Sequence, residues 1–323
     1  MARQRQQHKR SPEEKTGGGS DSSRALAARI ICQVVAGRSL SDTLSQRLLE
    51  VPEQERALVQ ELCYGVLRWW LRLRRPLKRR DGDVFALIMI GIYQLLYLRV
   101  PSHAAVTETV EATRGLGKSW ASGLVNAVLR NLLRNQAELI ARIGEDETAE
   151  FSCPAWLLGS IRKAWPQQWR DILNTLNQRP PMGLRVNLGR GSRDGYLQRL
   201  QAQAIAASPI PGVMSGIVLE KPQDIFTLPG FSDGLVSVQD GGAQLAAELL
   251  DLQSGQTVLD LCAAPGGKAC HILEIAPGDI SLTAVDIASD RLQRVRENLE
   301  RLGLTATLYC GDAANPNGAW AEA

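Results

Sequence analysis

Apolar residues recur at three- and four-residue steps through the first 145 positions, whereas beyond position 180 they gather into short runs between glycines and prolines. The first pattern predicts helices and the second predicts strands. Leu26, Ile30, Ile31 and Val34 mark a helix that starts at Ser22 and that Gly37 ends, and Leu40, Leu44 and Leu48 mark a second. Pro52 opens a third through Leu58, Val59, Leu62, Cys63 and Val66. Asp83 is placed to cap a fourth, Val84 to Leu98, apolar nearly all round and therefore central. Leu124, Val125, Val128, Leu129 and Leu132 predict another from Ser119 to Asn135. This region reads as an all-helical bundle. Residues 154–178 read as two short helices opened by Pro154 and Pro166, with Trp156, Ile161, Trp165, Trp169, Ile172 and Leu176 expected inside.

Leu184-Arg-Val-Asn187 begins a different stretch, with a helix from Arg193 to Gln203 and strands at Ile217 to Leu219 and Leu235 to Val238. Pro209, Pro211 and Pro229 fall in the expected connections, and a small α+β domain is predicted. Thr257 to Leu261 then reads as a strand buried on both faces of a parallel sheet. Helix and strand alternate afterwards: Ile280 to Asp286, Ser289 to Gly303, Ala306 to Cys310, a βαβαβ unit.

Between the first of these strands and the helix that follows lies Gly266-Gly267, which lets the backbone turn sharply and approach a ligand at a helix N-terminus. A nucleotide-like ligand is expected there. A P-loop needs Gly at position 262 and Ser or Thr at 269, where the chain has Cys262 and Ala269; a dinucleotide fingerprint needs Gly-x-Gly-x-x-Gly, which the adjacent pair does not supply. Asp286 ends the next strand 19 residues after Gly267, where doubly wound nucleotide folds place a carboxylate on ribose hydroxyls. Gly311-Asp312 ends the third strand at the same edge.

Composition narrows the class. The 323 residues are 44% hydrophobic and 22% charged, enough for two or three ordinary globular domains, and no apolar run is long enough to span a bilayer. Residues 1–21 form a basic tail with Arg3, Arg5, Lys9, Arg10 and Lys15 and no apolar centre, unlike a secretory signal. The six cysteines have no metal or Cys-x-x-Cys spacing and read as reduced thiols of a cytoplasmic protein, expected to be monomeric and without metal. Net charge is only +3, but seven basic residues lie between Arg68 and Arg80 with Trp69 and Trp70 beside them. Arg74 and Arg79 are the candidate phosphate contacts; the two tryptophans fit base stacking and burial against the central helix equally.

Asp260-Leu-Cys-Ala-Ala-Pro-Gly-Gly-Lys268 resembles the first cofactor motif of the RNA cytosine-5 methyltransferases. Glu61-Leu-Cys-Tyr-Gly-Val-Leu-Arg68, Tyr93-Gln-Leu-Leu-Tyr97 and Gly123-Leu-Val-Asn-Ala-Val-Leu-Arg130 resemble the RNA-binding domain of the antitermination factor NusB. Leu184-Arg-Val-Asn187 and Val238-Gln-Asp240 again resemble the methyltransferases, and the order of the parts looks like the Sun/Fmu branch that acts on bacterial 16S ribosomal RNA. The resemblance implies a NusB-like bundle at 22–150, an RNA-contacting linker domain at 151–238 and an incomplete Rossmann-like class I methyltransferase domain at 239–323. It implies S-adenosyl-methionine held by Cys262, Ala263, Ala264, Pro265, Gly266, Gly267 and Lys268, with Asp286 on ribose, Asp312 on the adenine amino group and Arg185 toward RNA. In that family one cysteine, in Thr-Cys, attacks C6 of cytosine and a second, in Pro-Cys, assists release; neither motif occurs here. The catalytic cysteines are therefore expected beyond Ala323, and the 323 residues alone are expected to be inactive. The alternative is a non-catalytic RNA-binding protein with a vestigial cofactor fold, and the coding sequence after Ala323 would separate the two.

Overall fold

The computed structural model describes residues 22–77, 82–316 and 319–321; the basic tail and Arg79 lie outside them. The chain divides into two compact units, one up to Gln178 and one from Arg179.

The first unit holds eleven α-helices among the described residues: α1 (Ser23–Val35), α2 (Leu40–Arg47), α3 (Glu53–Arg68), α4 (Trp70–Arg74), α5 (Gly82–Tyr97), α6 (Ser102–Gly115), α7 (Ser122–Arg134), α8 (Gln136–Gly144), α9 (Glu147–Glu150), α10 (Ala155–Ala164) and α11 (Trp169–Leu176). Ser22 caps α1 by accepting from the Ala25 amide, and Gly37 follows it at φ +100°, as the pattern predicted. Helix α5 is the axis, buried from Phe85 to Gln94. Two glycines let neighbours approach closely: a Cβ at Gly91 would meet Leu129 of α7 at 2.7 Å, and one at Gly65 of α3 would meet the Tyr93 ring at 2.0 Å. Gln94 is satisfied in the core by Arg24, Ile90 O and Thr109 Oγ1.

Trp69 and Trp70 pack inward: Trp69 stacks on Tyr97 with ring centres 4.9 Å apart, and Trp70 meets Phe85 edge-on at 6.0 Å. Part of the basic run is also engaged, Arg72 with Glu150 O and Arg75 with Asp146 at 2.9 Å. The expectation for α10 and α11 needs correction. Leu158, Ile161 and Leu173 form their core with Phe151 and Cys153, and Trp169 packs against it. Trp156 and Trp165 are 72% and 51% exposed, and Leu176 is exposed too. Trp156 lies across α10 from Leu158 and Ile161, and at Trp165 the chain leaves the helix. Helix α11 begins at Trp169 rather than at Pro166.

The second unit opens with an antiparallel sheet built from β1 (Met182–Val186), β2 (Ala207–Pro209), β3 (Gly216–Leu219) and β4 (Val236–Val238) in the order β2-β3-β1-β4. Pro209 is thus in a strand rather than a connection, tolerated because β2 is an edge. Leu184 and Val186 point with Ile217 and Val236 toward helix α12 (Arg193–Ala202). Arg185 alternates to the other face. Helix α13 (Gly241–Glu248), capped by Asp240, leads into a parallel sheet, β5 (Thr257–Asp260), β6 (Ser281–Asp286) and β7 (Thr307–Cys310), with α14 (Gly267–Ile275) and α15 (Ser289–Leu302) as crossovers. The predicted βαβαβ order is present. Burial of β5 on both faces is not: it pairs only with β6 among the described residues, and Leu259 is 45% exposed. Strand β6, between two neighbours, is buried from Leu282 to Asp286.

Candidate functional site

The turn from β5 into α14 is held from below by its own backbone and by β6. The Cys262 amide donates to Asp260 Oδ1 at 3.3 Å, Ala263 N to Val285 O at 3.0 Å, and Ala264 N to Asp286 Oδ2 at 3.1 Å. Gly266 takes φ +101°, and a Cβ there would meet the Val295 backbone at 3.3 Å, so the turn requires glycine. Gly267 then starts α14, whose first amides have no partner within the helix.

Asp286 is 4% exposed at the end of β6. Besides the Ala264 amide it accepts from Ala288 N at 3.2 Å and faces Arg291 Nη1 at 3.6 Å, while Arg291 Nη2 reaches Ala264 O. Each of its oxygens retains acceptor capacity. The Gly311 amide donates to Asp286 O, which brings Asp312 to the same sheet edge. Asp312 and Lys268 are exposed. The structure therefore brings together residues 262–268, Asp286 and Asp312 at the C-terminal edge of the parallel sheet, the place where open α/β sheets bind ligands.

Asp260 was missed as a site residue, although the motif begins with it. Its Oδ2 is buried without a hydrogen-bond partner, and burial raises its carboxyl pKa above the usual range. An orphaned acceptor at the mouth of a glycine turn suits a ligand that carries positive charge and donors.

Arg185 overturns its expectation. It is 1% exposed, not on a solvated face, and RNA cannot reach its spent guanidinium. Nε and Nη2 form a forked pair with Glu274 of α14 at 2.9 and 2.8 Å, and Nη1 donates to Gln239 Oε1 and, at 2.7 Å, to Gly267 O. One side chain from the antiparallel sheet thus grips the first residue of α14. The half-buried Arg74 accepts from Leu77 N through its carbonyl, and its guanidinium has no hydrogen bond or ion pair among the described residues; Arg79 is outside them.

His271, beside these groups on α14, is 1% exposed, and its Nδ1 has no partner. Burial, with the Arg185 charge adding to it, lowers its pKa to about 4. The unfolded chain takes up this proton near pH ~6.5, so between there and about 4 the unfolded state binds more protons and stability falls as pH falls. The expected loss approaches about 3 kcal/mol across that window and vanishes in His271→Asn. Urea unfolding at equal stability near pH ~7 and ~4.5 would show that His271 protonates in place.

Three family models match the chain: the NusB family at residues 21–134, the RsmF/B-like methyltransferase ferredoxin-like domain at 153–226, and 16S rRNA methyltransferase RsmB/F at 247–323. Ribosomal RNA small subunit methyltransferase B of Pseudomonas syringae is 46% identical over 299 residues, 90% of this chain and 67% of that protein. The Pseudomonas putida protein of the same name is 45% identical over 92% of this chain and 70% of its own length. The crystal structure of PH0851 superposes with a TM-score of 0.67 at 18% identity, over 90% of this chain and 70% of that one, which shows a shared fold.

Proposed function

The chain belongs to the ribosomal RNA small subunit methyltransferase B family, and from this premise we propose that it serves transfer of a methyl group from S-adenosyl-methionine to C5 of a cytosine in 16S ribosomal RNA. The observation that carries this reading is the sheet edge at which the glycine turn, the orphaned Asp260 Oδ2 and the buried Asp286 converge. When bound, adenosyl-methionine supplies an electrophilic methyl group on a sulfonium.

The protein's part is to hold and orient. The backbone of residues 262–268 would line the cofactor, Asp286 would accept from the ribose hydroxyls with its remaining lone pairs, and Asp312 would meet the adenine amino group. The carboxylates of Asp260 and Asp286 suit a cationic ligand. RNA would meet the helical domain, proposed at 22–150, through Arg74 and Arg79, and the linker domain at 151–238. C5 transfer also needs a nucleophile, a role we assign to none of the described cysteines, and we therefore assign to these 323 residues binding rather than turnover.

Asp286→Ala is expected to lower adenosyl-methionine affinity by about 1–3 kcal/mol through lost charge-assisted hydrogen bonds. Calorimetry on the folded variant reads this directly. Equal affinity would remove Asp286 from the site, and no binding by the parent chain would count against the cofactor reading itself.

A further inference from the structure

The helices α10 and α11 carry more aromatic surface than their core uses. Phe151, Cys153, Leu158, Ile161 and Leu173 close that core, and Trp169 completes it, its ring lying under Arg162 at 4.1 Å and Arg170 at 4.4 Å. Trp156 and Trp165 remain outside, at 72% and 51% exposure. Isolated exposed leucines are ordinary on a protein surface; two indoles on one short hairpin are not.

Their surroundings are those of a nucleic-acid contact. Lys163 lies seven residues after Trp156, two turns along the same face of α10, with exposed Gly159 and Ser160 between them. A Cβ at Gly159 would meet nothing within 4 Å, and the Ser160 hydroxyl is turned back to Trp156 O, so a planar ring can approach the indole unobstructed. The charge is complementary to phosphate. From Pro154 to Gln178 the only acid is Asp171, against Arg162, Lys163 and Arg170. Glu147 takes up Arg162 at 2.6 Å, while Lys163 and Arg170 have no carboxylate partner among the described residues. Apolar groups alone would suit a protein groove; exposed indoles beside unpaired cations suit unstacked bases on a phosphate backbone.

We propose that the α10–α11 hairpin is a stacking surface for single-stranded RNA, with Trp156 and Trp165 as base platforms and Lys163 and Arg170 as phosphate contacts. The proposal rests on the reading that this chain acts on RNA, and it names residues that the basic run around Arg74 does not include.

The test is fluorescence anisotropy of a labelled single-stranded oligoribonucleotide across a salt series, using the whole 323-residue chain. Because both indoles are exposed, Trp156→Ala and Trp165→Ala should fold as the parent does, which circular dichroism checks. Trp156→Ala is expected to weaken binding about tenfold, and Trp156→Phe to restore most of it. Lys163→Ala should reduce the slope of log K against log salt by about 0.7. If the parent binds RNA and the double Trp variant binds equally well, the hairpin is overturned while the RNA reading stands. Unchanged RNA affinity together with a parent dimer that the double variant cannot form would assign the indoles to a protein contact instead. A parent that binds no single-stranded RNA overturns the proposal together with the reading beneath it.

Discussion

Arg185→Met is expected to remove about 3–5 kcal/mol of stability from the chain, the cost of leaving one partner of a buried ion pair without the other. The side chains of Arg185 and Glu274 are 1% and 3% exposed, so water cannot replace the guanidinium, and Gln239 Oε1 and Gly267 O lose their donor as well. Arg185→Met combined with Glu274→Met removes both charges and should recover most of the loss, since apolar residues of similar volume often substitute for such a pair without penalty. The double variant still lacks the hydrogen bond to Gly267 O. If that bond positions the glycine turn, adenosyl-methionine affinity stays reduced although urea denaturation shows stability restored. Recovery of both together would make Arg185 a structural strut and nothing more. A loss below about 1 kcal/mol in the single variant would contradict the burial on which the argument stands.

Arg185 also shows what the sequence could and could not disclose. That it sits on a strand was legible, and alternation puts it on the face opposite Leu184 and Val186. What covers that face was not legible, because Glu274 lies 89 residues away and only the fold brings α14 against β1. Periodicity disclosed α1, α3, α5 and α7 because their core positions are large and apolar. It missed α6, whose buried positions are Ala105, Val106, Thr109, Ala112 and Thr113, so that Val106 is the one branched apolar residue among small or polar ones; the Thr109 hydroxyl is satisfied internally at Ala105 O, which lets a polar residue serve as core. The same limit applies to β5 and to Trp156. Residue type announces an apolar group, but burial depends on whether another element packs against it. The glycine turn at the sheet edge was the most legible part of the fold, because consecutive residues create it. Even there Asp260 was overlooked, because only the fold leaves one of its oxygens buried without a partner.

The 323 residues are expected to yield no 5-methylcytosine when incubated with RNA and excess adenosyl-methionine. C5 of cytosine becomes nucleophilic only after covalent attack at C6, so a thiolate must stand beside the methyl group. Cys32, Cys63 and Cys153 belong to the helical unit, and burial raises the pKa of each, Cys63 to about 12. Cys270 lies in α14 at the turn but is fully buried, and its thiol is pushed up to about 11 despite the Arg185 charge. His271, next to it, points elsewhere on the helix and is itself held neutral by burial, so it does not prepare a thiolate. Two exposed thiols remain. Cys262 is part of the turn assigned to the cofactor, and Cys310 at the end of β7 directs its Sγ at Ile287 O, 3.4 Å away; no general base is hydrogen-bonded to either among the described residues. Radiolabelled transfer into RNA measures the outcome. Label incorporated as 5-methylcytosine and abolished by Cys262→Ser or Cys310→Ser would place the nucleophile in this edge of the sheet and reverse the assignment of the turn to binding alone.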